Sequence, residues 1–220
     1  MRSVFFDNPA SYAFRTRDDW KKEIAKLLTP DSLILDTETT GTGSDARMIE
    51  LSIVSTEGEL LYNQLFATGE PLPEVIPGIT GITDEMLSDQ PYFEAEAERI
   101  AEIIKGKKLI GWNVSFDKRI VENEFASAGK LALLSPAGWE DAMELYSLSQ
   151  GKAKKWCKLV KAKEEMGIGE SQDHRATADC IDTLAVMRRA AGLDKGKTEE
   201  QEDLLSALRE DLEEVDFNDL

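Results

Sequence analysis

The stretch that most limits what this chain can fold into runs from Leu33 to Gly41 and reads LILDTETTG. Apolar residues that lead into a Thr- and Gly-rich turn indicate a short buried strand. Residues two apart on a strand point to the same face, so Asp36 and Glu38 would hold two carboxylates side by side. At about 4 Å and an effective dielectric of about 20, two such anions repel by about 4 kcal/mol. A divalent cation, which prefers oxygen ligands, would relieve that repulsion.

The size and composition are those of a globular domain with extensions. The chain has 220 residues, of which 41% are hydrophobic and 31% charged. It has no uninterrupted apolar run of membrane-spanning length and no signal-peptide core after Met1. Because its two cysteines, Cys157 and Cys180, are too few for a disulfide framework, we predict a reducing, cytoplasmic location.

The net charge of −17 argues at first against a polyanionic partner. Residues 198–220, however, hold ten acidic residues and one arginine, a net charge of −9 that leaves −8 for the rest of the chain. Four of the remaining acids are the candidate metal ligands described below, and bound cations would offset part of their charge. The overall charge therefore does not exclude a nucleic-acid substrate.

The order of predicted elements indicates an α/β fold with a mixed sheet flanked by helices. Residues 67–82 are predicted to form a loop, and Thr83 is predicted to cap a helical turn. Strands are predicted at Leu33–Asp36, Met48–Ser55, Leu60–Phe66 and Lys107–Ile110, with a strand end passing into a helix over Glu140–Leu148. Helices are predicted at Asp18–Leu28, Tyr92–Ile104, Ser115–Ala128 (capped by Ser115), Trp156–Met166, Ala176–Ala190 and Leu204–Val215.

A second acidic candidate, Asp117, follows the sequence IGWNVSF. At 100° per residue it falls inside the apolar stripe of the helix from Ser115 to Ala128. A carboxylate on the core side of a helix needs a partner or a cation. The alternative interpretation is an ordinary acid in the first helical turn, where the helix dipole favours it.

The third candidate is the pair His174 and Asp179, in the sequence HRATAD. His174 is the chain's single histidine, and a lone histidine is often structural or simply exposed. Five residues on an ideal helix place two side chains 140° apart, so His174 must precede the helix to share a site with Asp179. Together with Asp36, Glu38 and Asp117, this pair would supply four acids and one base for two-metal phosphodiester hydrolysis.

These motifs resemble the DEDDh family of 3′–5′ exonucleases, in the branch that contains the proofreading subunit of bacterial replicative DNA polymerase. The resemblance covers about residues 32–191. The matching segments, in chain order, are Asp36–Gly41, Arg47–Leu51, Gly111-x-Asn113-x-x-Phe116-Asp117 and His174-x4-Asp179. The resemblance implies a ribonuclease H-like fold with a mixed five-stranded sheet. It places the exonuclease domain at residues 31–193, between an N-terminal extension (1–30) with one helix and an acidic tail (194–220).

The resemblance also implies roles for individual residues. Two Mg²⁺ or Mn²⁺ ions would be held by Asp36, Glu38 and Asp179, with Asp117 helping, and His174 would be the general base. The candidates for contact with the terminal 3′ nucleotide are Thr39, Thr40, Ile82, Asn113 and Phe116. Two positions depart from the family pattern: Thr80 and Trp112 stand where histidine is frequent.

Two charged segments lie beside or outside these motifs. Lys152, Lys154, Lys155, Lys158, Lys161 and Lys163 could hold the phosphates of a substrate strand, with Trp156 available for stacking, or could form a solvated helix face. In the tail, Gln201, Leu204 and Leu205 resemble a peptide that docks on the bacterial sliding clamp. The alternative for the tail is an acidic amphipathic helix or a disordered segment.

The sequence therefore predicts a metal-dependent 3′–5′ exonuclease that acts on single-stranded or frayed 3′ ends of DNA. Its expected setting is DNA replication or repair, with a DNA polymerase or the sliding clamp as possible partners and no membrane. The alternatives are an RNA-trimming enzyme of the same fold and a catalytically silent interaction module recruited through the tail.

Overall fold

The computed structural model describes residues 15–152, 156–169 and 175–193. The strands are β1 (Ser32–Thr39), β2 (Met48–Ser55), β3 (Leu60–Leu65), β4 (Lys108–Gly111) and β5 (Gly138–Asp141). The helices are α1 (Arg17–Leu27), α2 (Val75–Thr80), α3 (Asp84–Leu87), α4 (Phe93–Ile104), α5 (Ser115–Ser127), α6 (Ala142–Ser149), α7 (Leu159–Met166) and α8 (Ala176–Ala191).

The five strands form one mixed sheet in the order β3-β2-β1-β4-β5. The first three strands are antiparallel neighbours, and β1, β4 and β5 are parallel neighbours. The hairpin and the α/β alternation that follows it produce this arrangement. The predicted mixed five-stranded sheet flanked by helices is therefore confirmed.

The central strand β1 separates two layers of helices. Leu33 and Leu35 pack into a core cluster with α4 and α5, whereas Ile34 packs into a second cluster with α1, α6 and α8. Side chains alternate along a strand, so Asp36 and Glu38 continue the row that starts with Ile34. The pleat thus directs both carboxylates toward the layer that contains α8.

The first helix joins the same core as the sheet. Trp20, Ile24 and Leu27 of α1 are buried in the cluster that also contains Leu184 of α8. Thr16 caps α1 by accepting a hydrogen bond from the Asp19 amide, with the Asp19 side chain bonding back. The predicted boundaries near residues 30 and 193 stay predictions, and the predicted helix at 204–215 lies outside the described residues.

Three local predictions were wrong. Residues 67–82 are not all loop, because α2 occupies Val75–Thr80 and Gly81 ends it at φ 72°. Pro77 hid this helix from the sequence pattern, but it lies in the first turn, where an amide hydrogen has no intrahelical partner in any case. Ser115 is the first residue of α5 and not its cap, and it bonds the side chain of Asn113.

The third wrong prediction concerns α7, which begins at Leu159 and not at Trp156, because Lys158 has an extended backbone (φ −67°, ψ 144°). The remaining strands and helices lie within two to three residues of their predicted bounds. Among the described residues, no helix combines the length and the apolar character needed to cross a membrane.

Candidate active site

The end of β1 places two carboxylates on one face of the sheet. Asp36 and Glu38 are both partly buried, and they lie opposite Ser52 and Glu50 of β2. A register shift between Glu38 and Thr39 ends the regular pairing at this point. The strand therefore stops directly after the acidic pair, and both side chains face the helix layer beyond it.

Helix α8 supplies the third carboxylate. Asp179 lies in its first turn, and its amide donates a hydrogen bond to the Arg175 carbonyl. One carboxylate oxygen each from Asp36, Glu38 and Asp179 lies within 4.8 Å of the other two. Residues separated by more than 140 positions in the sequence thus converge on one small cluster of oxygens.

Asp117 reaches the same region from α5 on the other side of the sheet. Asp117 is 3% exposed, and its Oδ1 accepts hydrogen bonds from the Thr37 amide (3.1 Å) and the Thr37 hydroxyl (2.8 Å). Strand β4 pairs with β1 only as far as Ile34. The Thr37 amide, which lies beyond this pairing, donates its hydrogen bond to Asp117 instead. The predicted position of Asp117 on the inner face of the helix is confirmed. Its hydrogen bonds with Thr37 hold it beside the three-oxygen cluster.

The turn between β4 and α5 allows this close approach. A Cβ atom added at Gly111 would lie 3.3 Å from the Leu35 carbonyl oxygen and 3.4 Å from Oδ2 of Asp117. Asn113, two residues later, has a left-handed backbone (φ 62°), which asparagine tolerates better than most residues. The Gly-x-Asn sequence therefore brings the start of α5 against β1.

The acids strongly affect one another's protonation. Burial, followed by the charges of Asp117, Asp179 and other acids, raises the pKa of Asp36 well above its usual range. Burial and the Asp179 charge raise the pKa of Glu38 to about 8. Burial also raises the pKa of Asp117 to about 7, against the opposing effect of the Thr37 hydrogen bonds. Carboxylates packed this closely either hold protons or are neutralised by a bound cation.

The donor set fits a hard divalent cation. Its ligand atoms are carboxylate oxygens, which Mg²⁺ and Mn²⁺ prefer, and a Mg²⁺ site made of few carboxylates leaves positions for water and phosphate oxygens. Asp36, Glu38 and Asp179 are partly exposed, so ions and substrate can reach them. The acidic cluster therefore offers the ligand atoms that a divalent-metal site requires.

These pKa values predict how the stability of the metal-free protein depends on pH. The folded state binds protons more tightly than the unfolded state, because the pKa of Glu38 rises from 4.5 to about 8. The contribution of this group to stability is complete below its unfolded pKa and is lost as the pH rises through the folded pKa. We expect the melting temperature to fall between pH 4.5 and 8.

Differential scanning fluorimetry with and without Mg²⁺ would measure this dependence. The increase in melting temperature caused by Mg²⁺ should be larger at pH 8 than at pH 5, since bound metal replaces the protons. Glu38→Gln should reduce the fall in the melting temperature of the metal-free protein between pH 4.5 and 8. An equal effect of Mg²⁺ at both pH values would contradict the prediction.

The candidate nucleotide contacts lie in different environments. Thr40 pairs with Arg47 across the turn after β1, and the Thr39 hydroxyl donates a hydrogen bond to the Gly41 carbonyl. Phe116 is partly buried below the Arg119 guanidinium, which lies 5.1 Å from the ring centroid. The Ile82 side chain is fully buried in a cluster that includes Ile49, Leu72 and Ile76. This placement gives Ile82 a packing role, and its contact with a nucleotide stays a prediction.

Several predicted residues lie outside the described residues, namely His174, Lys154, Lys155, Gln201, Leu204 and Leu205. The interpretation of the six lysines as one solvated or substrate-binding row was wrong at Lys163. That side chain is 4% exposed and forms an ion pair with Asp182 between α7 and α8. Lys152 bonds Glu165, whereas Lys158 and Lys161 are exposed.

Sequence reasoning missed the buried charges that hold the site together. Glu50 is completely buried in β2, where it binds Arg175, and Glu124 is 2% exposed in α5, where it binds Arg47. A signal was present for Glu50, which interrupts the otherwise apolar start of a strand and therefore required a partner. The identity of that partner, 125 residues away, could not be read from local spacing.

Comparison with known proteins shows the relationships of this chain. The RNase T family model, described as Exonuclease, matches residues 33–187. A relative named uncharacterized exonuclease CP81, from Escherichia phage 186, is 32% identical over 176 residues, which cover 74% of this chain and 89% of the phage protein.

Two solved structures share the fold. Exonuclease X in complex with 5′-overhanging duplex DNA is 22% identical with a TM-score of 0.54, covering 77% of this chain and 95% of that one. The nuclease domain of 3′hExo, a DEDDh family member bound to rAMP, is 17% identical with a TM-score of 0.59, covering 73% of this chain and 90% of that one. The chain therefore belongs to the RNase T exonuclease family and shares its fold with a DEDDh family member.

Proposed function

We propose that this protein is a two-metal exonuclease that removes nucleoside 5′-monophosphates one at a time from DNA 3′ ends, in proofreading or repair. The observation that carries the proposal is the cluster of carboxylate oxygens from Asp36, Glu38 and Asp179 within 4.8 Å of one another. Such a cluster suits hydrolysis of a phosphodiester, whose charged oxygens need cationic partners.

Each acid has a role in this proposal. Two bound Mg²⁺ or Mn²⁺ ions would supply positive charge to the attacking and the leaving oxygens of the hydrolysis. Asp36, Glu38 and Asp179 would hold them, with Asp117 helping. His174, whose pKa in the absence of neighbours is about 6.5, would take the proton from the attacking water. The water oxygen bonds to phosphorus as the bond to the 3′ oxygen breaks, which leaves a 5′-monophosphate and a strand one nucleotide shorter.

The residues around the cluster would position the terminal nucleotide. Thr39 is the last residue of β1, and Thr40 follows it in the turn. Asn113 lies in the turn before α5, and Phe116 lies in the first turn of α5 next to Asp117. We propose these four residues as contacts to the terminal nucleotide, and Ile82 as a contact that would require movement of its cluster.

DNA is the proposed substrate, and RNA is the second candidate. Exonuclease X, which shares the fold, was solved with duplex DNA. The 3′hExo nuclease domain, which also shares the fold, was solved with the ribonucleotide rAMP. The relative rates of nucleotide release from DNA and from RNA decide between the two substrates.

We further propose that the lysine-rich segment 152–161 binds substrate phosphates. The double change Lys154→Glu/Lys155→Glu should raise KM and flatten its dependence on salt, since each lost phosphate contact removes about 0.7 from the log–log salt slope on a single strand. Measurement of KM at several salt concentrations checks this prediction. Lys105→Glu, an exposed lysine at the end of α4, is the control, and an unchanged slope in the double variant would contradict the proposal.

The acidic tail is proposed as the site of recruitment. Gln201, Leu204 and Leu205 would dock on a sliding clamp or act near a DNA polymerase, which would place the nuclease at a replication site. The competing proposal is an acidic segment that discourages nonspecific contact with nucleic acid.

An assay of the purified protein tests the function. Single-stranded DNA, duplex DNA with a mismatched 3′ end, and RNA of the same sequence would be offered with Mg²⁺, with Mn²⁺ or with a chelator. We expect metal-dependent release of 5′-mononucleotides, faster from DNA than from RNA. Faster release from RNA would assign the RNA-trimming alternative. The absence of release from all three substrates would support the silent interaction module.

A further inference from the structure

Two buried glutamates in this fold bind arginine in the same way. Glu50 of β2 accepts hydrogen bonds from the Arg175 side chain and from the amide of the next residue, Ala176. Glu124 of α5 likewise accepts bonds from the Arg47 side chain and from the amide of Met48. An arginine fork joined to a carboxylate at two points fixes orientation as well as distance.

The Glu50 contact lies beside the acidic cluster. Oε1 of Glu50 accepts from Nη2 of Arg175 at 2.7 Å, and Oε2 accepts from Nε at 3.0 Å and from the Ala176 amide at 3.1 Å. The Glu50 side chain is 1% exposed and that of Arg175 is 16% exposed. Glu50 is the residue opposite Glu38 in the β1–β2 register. One carboxylate thus connects the strand beside Glu38 to the first residue of α8.

Two more contacts continue along the same strand. The Ser52 and Thr177 hydroxyl oxygens lie 2.9 Å apart, and the Cys180 thiol donates to the Ser52 carbonyl at 3.6 Å. These contacts involve alternate residues of β2 and the first turns of α8. Hydrogen bonds therefore hold the start of α8 against β2, on the face of the sheet where Asp36 and Glu38 lie.

We propose that Glu50 and Arg175 are positioning residues that fix Asp179, and the chain on the C-terminal side of His174, relative to Asp36 and Glu38. Neither residue needs to touch the substrate or a metal ion for this role. Arg175 is bonded directly to His174 in the chain, and Asp179 is one helical turn beyond Arg175. The inference rests on the proposed function, because it assigns a task to the pair within the same site.

The alternative is that the pair acts only through its charges. The two roles predict different changes in Mn²⁺ affinity when either residue is replaced. Glu50→Gln removes a negative charge beside the acidic cluster, whereas Arg175→Gln removes a positive charge. A purely electrostatic role would make the first change weaken Mn²⁺ binding and the second strengthen it. A positioning role makes both changes weaken it, because both release the start of α8.

The experiment combines Mn²⁺ titration calorimetry with kinetics on the best substrate. We expect Glu50→Gln and Arg175→Gln each to weaken Mn²⁺ binding and to lower kcat by about 10- to 100-fold with little change in KM. The double variant should be no worse than either single variant. Arg175→Lys, which keeps the charge and loses the fork, should remain impaired.

A matched control separates this effect from general loss of stability. Asp182→Asn removes another buried ion pair of the same helix, toward α7 and away from β2. Thermal unfolding checks that each variant is folded, and Arg175→Lys carries the test if Glu50→Gln is not. We expect kcat of Asp182→Asn to stay within about threefold of the wild type despite a lower melting temperature.

The outcomes distinguish the two proposals. If the wild type releases nucleotides and the Glu50 and Arg175 variants match it in kcat and in Mn²⁺ affinity, the positioning role is wrong. Opposite shifts in Mn²⁺ affinity for the two Gln variants, or full rescue by Arg175→Lys, would also overturn it. If the wild type releases no nucleotide with any metal, the proposed function fails, and the calorimetry still tests the positioning of Asp179.

Discussion

Asp36→Asn is expected to lower kcat by about 10³-fold or more, because metal coordination supplies several kcal/mol of charge stabilisation in phosphoryl transfer. Asp36 belongs to the acidic cluster, and its burial, followed by the charges of Asp117, Asp179 and Glu38, raises its pKa. Asparagine keeps the shape of the side chain and removes its charge. Nucleotide release under saturating substrate and Mg²⁺ measures the effect.

The control for this prediction is Asp31→Asn. Asp31 precedes the other end of the same strand, and its side chain is 91% exposed. This variant should retain wild-type kcat, and both variants should remain folded. Loss of repulsion among the acids should even raise the melting temperature of metal-free Asp36→Asn. A kcat for Asp36→Asn close to the wild-type value would place the chemistry elsewhere.

His174→Gln is expected to lower kcat by about 10²- to 10⁴-fold, which is the usual contribution of a general base. The reason is its place in the chain, directly before Arg175, which is held against Glu50 beside the acidic cluster. Mn²⁺ affinity should change little, because the proposed base is not a metal ligand. Kinetics at several pH values, together with calorimetry, would measure both effects.

This second prediction has a distinctive signature. The wild-type kcat should rise with pH through the pKa of the histidine, and His174→Gln should lose that rise. Added imidazole should restore part of the activity of a His174→Gly variant. A His174→Gln enzyme with wild-type kcat and an unchanged pH profile would exclude His174 as the base.

The fold was largely predictable because its strands carry strong local signals. The residues before Asp36 and the hairpin after Met48 are short apolar runs that end in turn residues, a pattern that predicts strands. The helix at Val75–Thr80 was missed because Pro77 and Gly78 disguise it. This helix is stabilised by the packing of Ile76 into a buried cluster with Ile82, which local sequence patterns do not reveal.

The parts of the site that follow from the strand and helix periods were predictable. The two-residue spacing placed Asp36 and Glu38 on one face, and the helical period placed Asp117 on the core side of α5. The approach of Asp179 depends on how α8 docks on β2, which no local pattern specifies. The resemblance of the motifs supplied that information, and the geometry of the cluster agrees with it.

Buried ion pairs were the least predictable features. Lys163 was grouped with the other lysines because neighbouring residues of one charge indicate a solvated face. Its partner Asp182 lies on another helix, so burial of this lysine follows from tertiary packing alone. The same holds for Glu50 and Arg175, whose contact spans 125 positions.

Crystals grown with Mn²⁺ and a nucleoside 5′-monophosphate would test the central claim most directly. The anomalous signal of Mn²⁺ should appear among the carboxylates of Asp36, Glu38 and Asp179, with the nucleotide phosphate beside it. Density for Mn²⁺ elsewhere, or these three acids pointing to separate surfaces, would contradict the account.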